Sequence, residues 1–196
     1  MCGIFGFVAN PNSRLNSINS RRILIDLFHR SEPRGRDASG LVTVAKGHAA
    51  VYKRPLPPDR FLSEKGFRQF LSKNMAISFD EKSGNLISQF AVIGHCRLVL
   101  SGTEVIHANN QPVISGPIVG IHNGLITNES ELIKKHKFSH NRGSIDSEII
   151  FRLINQYCDE GNSIRSATAK CFNDIEGTAS IAFFRQGGNQ LILATN

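Results

Sequence analysis

The sequence predicts an α+β domain in which antiparallel sheets carry helices on their outer faces. Strand-like runs come as neighbours, 41–45 beside 47–51 and 178–184 beside 191–194, each pair joined across glycine. Helical spacing comes in succession, over 128–137, 146–157 and 163–172. That ordering departs from the strand–helix–strand rhythm of a parallel sheet. With 196 residues, 40% of them hydrophobic and 20% charged, the chain can bury a core as one large or two small domains, and its composition argues against disorder.

The chain opens on Met1-Cys2-Gly3-Ile4-Phe5-Gly6-Phe7-Val8, an apolar run that reads as a buried strand. The cluster Asn10-Pro11-Asn12-Ser13 turns it away. Ile18, Ile23, Leu24, Leu27 and Phe28 follow helical spacing, which predicts a helix over 16–30 that stops before Pro33. A polar, glycine-bounded turn, Arg34-Gly35-Arg36-Asp37-Ala38-Ser39-Gly40, leads into the strand 41–45 and its hairpin return. Prolines break the connection 54–58, residues 61–71 predict a short amphipathic helix, and 74–88 read as an irregular excursion in which 75–79 also fit a strand. The second strong strand is 90–100, with Arg97 inside an apolar run, and a loop rich in Gly, Asn, Gln and Pro spans 101–112. Strands at 113–114 and 118–121 follow, the second ending at His122-Asn123-Gly124. Asn128 and Asp146 stand where the next two helices need N-caps, and the chain closes on a hairpin turned by Gly187-Gly188-Asn189. That hairpin leaves an open strand edge, so a truncated chain or a fragment is expected.

Composition narrows the function classes. A formal charge of +7 invites a nucleic-acid reading, but the basic residues are scattered in ones and twos. Trp is absent and Tyr occurs twice, so a base-stacking platform is poorly supplied. A solvated basic surface, meeting phosphorylated small molecules or an acidic partner, is the better reading. No apolar run reaches the length of a membrane span. Cys2, Cys96, Cys158 and Cys171 lack CxxC spacing, which points to a reduced, cytoplasmic protein without a zinc site or a disulfide framework.

Four stretches of the chain offer chemistry, each with a plainer alternative. Removal of Met1 would leave Cys2 with a thiol and a free α-amine, whose pKa values of about 8.5 and about 8 make proton exchange nearly balanced. The same residue type also packs as a small buried hydrophobe. Arg97 within an apolar strand needs either a structural carboxylate or a ligand carboxylate held by its planar fork. Asn123-Gly124 is a turn signal, and equally a way to aim an amide and a backbone N–H at one spot. Arg34 and Asp37 suit an ion pair near a site or a structural corner.

Taken together, Met1-Cys2-Gly3-Ile4-Phe5-Gly6, Arg34-Gly35-Arg36-Asp37-Ala38-Ser39-Gly40, Gly94-His95-Cys96-Arg97, His122-Asn123-Gly124-Leu125-Ile126-Thr127-Asn128 and Asp146-Ser147-Glu148-Ile149-Ile150 resemble the glutaminase domain of class II glutamine amidotransferases. This is the family of N-terminal-nucleophile hydrolases that includes glucosamine-phosphate synthase, the phosphoribosyl-pyrophosphate amidotransferase and asparagine synthetase. The resemblance implies a four-layer αββα sandwich over 1–196, lacking its last strands and any synthase domain. It implies hydrolysis of L-glutamine to glutamate and ammonia, with the ammonia passed to a synthase domain or subunit, and neither cofactor nor metal. Carried over, Cys2 attacks the γ-amide with its own α-amine as base, and Asn123 and Gly124 form the oxyanion hole. Arg97 holds the substrate α-carboxylate and Asp146 its α-ammonium. Arg34, Asp37, Leu98, Ser101 and His122 support the site. After Arg97 the sugar-type and purine-type members place an aromatic and then a threonine, where this chain has Leu98-Val99-Leu100-Ser101. That leucine matches the asparagine-synthetase branch, whereas His122 matches the sugar and purine branches, so the subfamily, the ammonia acceptor and the oligomeric state stay open. Two other readings use the same fold: a self-contained amidohydrolase of another small amide, and a non-catalytic module that binds an amino acid.

Overall fold

The structure is a computed structural model that describes residues 2–99, 103–138, 146–188 and 190–196. Its first sheet is antiparallel and has the order β1-β4-β2-β3, from β1 (Gly3–Ala9), β4 (Phe90–Arg97), β2 (Ala38–Ala45) and β3 (His48–Arg54). The second, also antiparallel, runs in the order β5-β6-β7-β8, from β5 (Val113–Ser115), β6 (Ile118–Ile126), β7 (Gly177–Arg185) and β8 (Leu191–Thr195).

Strand alternation gives each sheet two apolar faces. From β4, Phe90, Val92 and Cys96 face outward into a core with Leu24 and Phe28 of α1 (Ser17–Ser31), Phe61 of α2 (Pro58–Ser63) and Phe67 and Leu71 of α3 (Lys65–Met75). The intervening Ala91 and Ile93 face inward, with Val42 and Val44, against Val119, Ile121, Ala182 and Phe184 of the second sheet. The outer face of that sheet is covered by α4 (Glu129–Lys135), α5 (Ser147–Asp159) and α6 (Ile164–Asp174), through Leu132, Ile150, Ile154 and Cys171. The result is the αββα layering. Among the described residues, no helix is long and apolar enough to cross a membrane.

Several local expectations give way to tertiary context. The strand starting near 41 begins at Ala38, because Ala38 and Ser39 pair with Arg97 and Cys96. The helix expected over 61–71 is two helices, broken where Glu64 adopts an extended conformation. Residues 75–79 form no strand: Met75 ends α3, and Phe79 makes only an isolated bridge to Leu86. The strand expected over 90–100 ends at Arg97. Asn123-Gly124 is not a turn: β6 runs straight through it to Ile126, because Asn123 and Gly124 pair with Ser180 and Ala179 of β7. Asn128 and Asp146 occupy N-cap positions but make no side-chain cap bond. Asn128 instead joins the backbone at Asp174 and Glu176.

Candidate active site

The inward-facing positions of β4 change character along the strand: Ala91 and Ile93 are followed by His95 and Arg97, which are 1% and 5% exposed. Cys2 precedes β1, where Gly3 pairs with Cys96. This puts the Cys2 thiol beside the chain leaving β4. The Leu98 N–H points at Cys2 Sγ at 3.4 Å, and the Leu98 carbonyl lies 3.6 Å from the same sulfur. The Leu98 side chain is exposed. Cys2 also lies within electrostatic reach of the Arg97 guanidinium, as do Glu104 and Asp37. Burial pulls the Arg97 pKa down, and these three groups oppose that pull.

The turn 34–37 holds both strand ends around the thiol. Arg34 Nε donates to the Cys2 carbonyl at 3.1 Å. The Asp37 N–H bonds the Arg97 carbonyl at 3.0 Å, and Asp37 Oδ2 accepts the Val99 N–H at 2.7 Å. Gly35 is the residue that permits this, since a Cβ there would fall 2.4 Å from the Arg97 carbonyl carbon. Arg34 and Asp37 thus bond main chain on either side of Cys2 rather than each other.

Facing this end of the first sheet is the second half of β6, and β1 lies against β6 across the layer. Alternation puts Asn123 on the inward face with Val119 and Ile121, and His122 on the helix-facing side. His122 Nε2 lies 3.5 Å from the Thr178 carbonyl, and Nδ1 lies 3.0 Å from Ser147 Oγ. Burial lowers the His122 pKa against the pull of Asp146, whose Oδ1 is 4.0 Å from Nδ1. Asp146 Oδ2 accepts the Ile126 N–H at 2.7 Å. At Gly124 a Cβ would meet the Thr178 carbonyl oxygen at 1.9 Å, so close packing of β6 on β7 requires glycine there.

The two halves are joined by residues that the sequence did not single out. Asn110 Oδ1 accepts from Arg97 Nη1 at 2.8 Å. Gln111 reaches β6 and α5: its Oε1 accepts the His122 N–H at 2.6 Å, and its Nε2 donates to the His122 carbonyl at 2.8 Å and to Ser147 Oγ at 3.1 Å. Lys53 Nζ donates to the carbonyls of Asn110 and Pro112 at 2.5 and 2.9 Å. Burial, with Arg97 nearby, pushes the Lys53 pKa down to about 8. His95 lies against the His122 main chain, and burial takes its pKa down to about 3.

Of the residues expected at the site, Cys2, Arg34, Asp37, Arg97 and Leu98 meet at one end of the first sheet. His122, Asn123, Gly124 and Asp146 meet on the facing half of β6 and the start of α5. Arg97 has an amide partner in Asn110, an option not among the two weighed for it. Ser101 and Met1 lie outside the described residues. The signal for the missing pair was the amide-rich run Asn109-Asn110-Gln111-Pro112, but composition does not show that such amides are buried.

The family described as a glutamine amidotransferase domain matches residues 95–196, which contain Arg97, Asn123, Gly124 and Asp146. The glutamine–fructose-6-phosphate aminotransferase (isomerizing) of Streptococcus agalactiae is 28% identical over 201 residues, covering 100% of this chain and 29% of the relative. Its counterpart from Thermococcus kodakarensis is 29% identical over 195 residues, covering 93% of this chain and 27% of the relative. The chain therefore spans less than a third of the length of these curated relatives. The glutamine phosphoribosylpyrophosphate amidotransferase of B. subtilis shares the fold, with a TM-score of 0.69 at 17% identity over 98% of this chain and 37% of that one. With the family match running across just over half of its 196 residues, the chain belongs to the glutamine amidotransferase domain family, in the class II group that its sequence blocks resemble.

Proposed function

We propose that this chain hydrolyses the side-chain amide of L-glutamine and releases ammonia to an acceptor domain or subunit, with Cys2 as the nucleophile once Met1 is removed. The observation that carries the reading is the position of the Cys2 thiol, beside the Leu98 N–H and Arg97 and opposite the polar half of β6. In this reading the Cys2 α-amine, through a water, takes the thiol proton as Sγ bonds to the amide carbon. The carbonyl oxygen becomes an oxyanion held by the Asn123 amide and the Gly124 N–H. The proton then passes to the amide nitrogen, the C–N bond breaks, and ammonia leaves a γ-glutamyl thioester. Water attacks the thioester, giving glutamate and the free thiol. Arg97 binds the substrate α-carboxylate and Asp146 the α-ammonium, a pair of contacts that selects an α-amino acid over other small amides.

The Gly124 assignment has a backbone rationale. In an antiparallel strand the main-chain groups of alternate residues point to opposite neighbours. Those of His122 point to the Gln111 side chain and the Ile126 N–H to Asp146, so Gly124, between them, shares that edge. Partner strand β5 stops short of it, at Val113 opposite Gly120. The Gly124 N–H is thus directed at a gap in the ladder where a substrate oxygen fits.

Intact mass measured before and after a glutamine-analogue electrophile tests the proposal. Loss of Met1 with a single adduct, absent in Cys2→Ala, is expected. Labelled protein that still carries Met1, or labelling that survives Cys2→Ala, overturns the nucleophile assignment.

A further inference from the structure

We infer that Asn110 and Gln111 are positioning residues with separate duties: Asn110 sets substrate affinity through Arg97, and Gln111 sets turnover through the main chain of β6. This rests on the glutaminase reading and adds to it a division of labour between two adjacent amides.

The register of the second sheet shows what Gln111 replaces. Strand β5 pairs Ser115 with Ile118 and Val113 with Gly120. Continued by one more step, that ladder would set the main chain of residue 111 opposite His122. The ladder stops instead, and Pro112 has no N–H to offer it. The Gln111 side-chain amide takes the vacant place. An amide has the same donor and acceptor as a peptide unit, and Gln111 uses both on the His122 N–H and carbonyl. Its second amide hydrogen goes to Ser147, the residue after Asp146. The side chain thereby ends the ladder one slot before Gly124, while Asp146 fills the slot after it. A main-chain strand at that position would have run on toward the Gly124 N–H and covered it. A side chain fixes the same edge and then stops.

Asn110 serves the other half. Its Oδ1 meets Arg97 and its Nδ2 the Glu104 carbonyl, and it is fully buried. An amide oxygen orients a guanidinium without neutralising it. The dipeptide is anchored from the first sheet at two more points. Lys53 binds the carbonyls on either side of Gln111, and at Gly40 a Cβ would fall 2.0 Å from the Gln111 carbonyl oxygen. The segment therefore fixes the two sheets against each other at the end where Cys2 and Gly124 must meet one substrate.

The test is steady-state kinetics of Asn110→Ala, Gln111→Ala and Gln111→Glu in the full chain, on glutamine and on an activated γ-amide lacking the α-carboxylate. Melting temperature and the rate of Cys2 alkylation by iodoacetamide report folding. Gln111→Ala is expected to lower kcat on both substrates by about 10²-fold, the usual cost of a displacement near 1 Å, with KM little changed. Gln111→Glu keeps the volume and the acceptor for the His122 N–H but loses both donors. It shows the same kcat-selective loss, and it decides the matter if the alanine variant does not fold. Asn110→Ala is expected to raise KM for glutamine about tenfold, the worth of one hydrogen bond to a charged group, and to leave the truncated amide unaffected. Equal changes in kcat and KM for either residue, or wild-type kinetics in folded Gln111→Glu, overturn the division of labour while the glutaminase reading stands. A wild-type chain that does not turn over glutamine overturns both.

Discussion

Ala91 and Ile93 lie on the same face of the same strand as His95 and Arg97, yet the two halves of that face meet the second sheet by different physics. In the apolar half, Val42, Val44, Ala91 and Ile93 pack on Val119, Ile121, Ala182 and Phe184. Such contact depends on shape and tolerates small shifts along the strand. In the polar half, Arg97 reaches Asn110 and Gln111 reaches His122 and Ser147, at distances of 2.6 to 3.1 Å. Those bonds fail if the sheets slide by an ångström. The apolar half supplies adhesion between the layers, and the polar half converts that adhesion into position. Substitutions in the two halves should therefore separate stability from activity.

The largest effect belongs to the polar half. Asn123→Ala should lower kcat on glutamine by about 10²–10³-fold, because an oxyanion donor acts only in the transition state. Asn123 is half-buried at the open end of the layer, so the melting temperature should stay near that of the wild type. Kinetics and calorimetry on one preparation check both statements, and a variant that loses stability along with activity would place Asn123 in the packing instead. The mirror experiment is Ile93→Ala, which removes a side chain 1% exposed between the sheets. It should cost about 2–5 kcal/mol in a denaturant titration while KM for glutamine is retained by the folded fraction. A shift in KM as large as that for Arg97→Ala would show the two halves to be one mechanical unit. Arg97→Ala itself should raise KM for glutamine by about 10–10²-fold, as expected for loss of a charged bidentate contact, and slow an amide without the α-carboxylate far less. Equal losses on both substrates would remove Arg97 from the clamp.

The same contrast explains what could be read in advance. The apolar half was legible because the continuous apolar runs at 90–93 and 118–121 need no partner to be recognised as strands. Cys2, Arg97 and the Asn123-Gly124 pair stood out through residue type and order. How they are held did not. Asn-Gly reads locally as a turn, and only pairing with Ser180 and Ala179, far along the chain, keeps β6 extended through it. Asp146 reads as a helix cap, yet its carboxylate is taken by Ile126. Asn110 and Gln111 sit in a run with the composition of a solvated loop, and they pack against Gly40 and Lys53 from two strands of the other sheet. Hydrogen bonds made over long sequence separations leave no periodic trace.

The last contrast is a pH dependence that the polar half contributes through His95. His95 is fully buried beside Arg97 and His122, and its pKa falls from 6.5 to about 3, with burial the main cause. Between those values the unfolded chain binds a proton at this residue that the folded chain does not. Stability must then rise with pH across that window and lose this contribution as acid is added; above pH 6.5 the residue is neutral in both states and contributes no slope. His122, lowered by burial against the pull of Asp146, tilts the same way, and so do carboxylates with depressed pKa values, so the wild-type curve alone does not isolate His95. The difference between wild type and His95→Gln does, because glutamine keeps a polar side chain of similar length without titrating. Unfolding free energies of the two proteins measured from pH 7 down to pH 4 should diverge, the wild type losing more. Parallel curves would mean that His95 takes up its proton in the folded state, and that the polar half admits water where the apolar half does not.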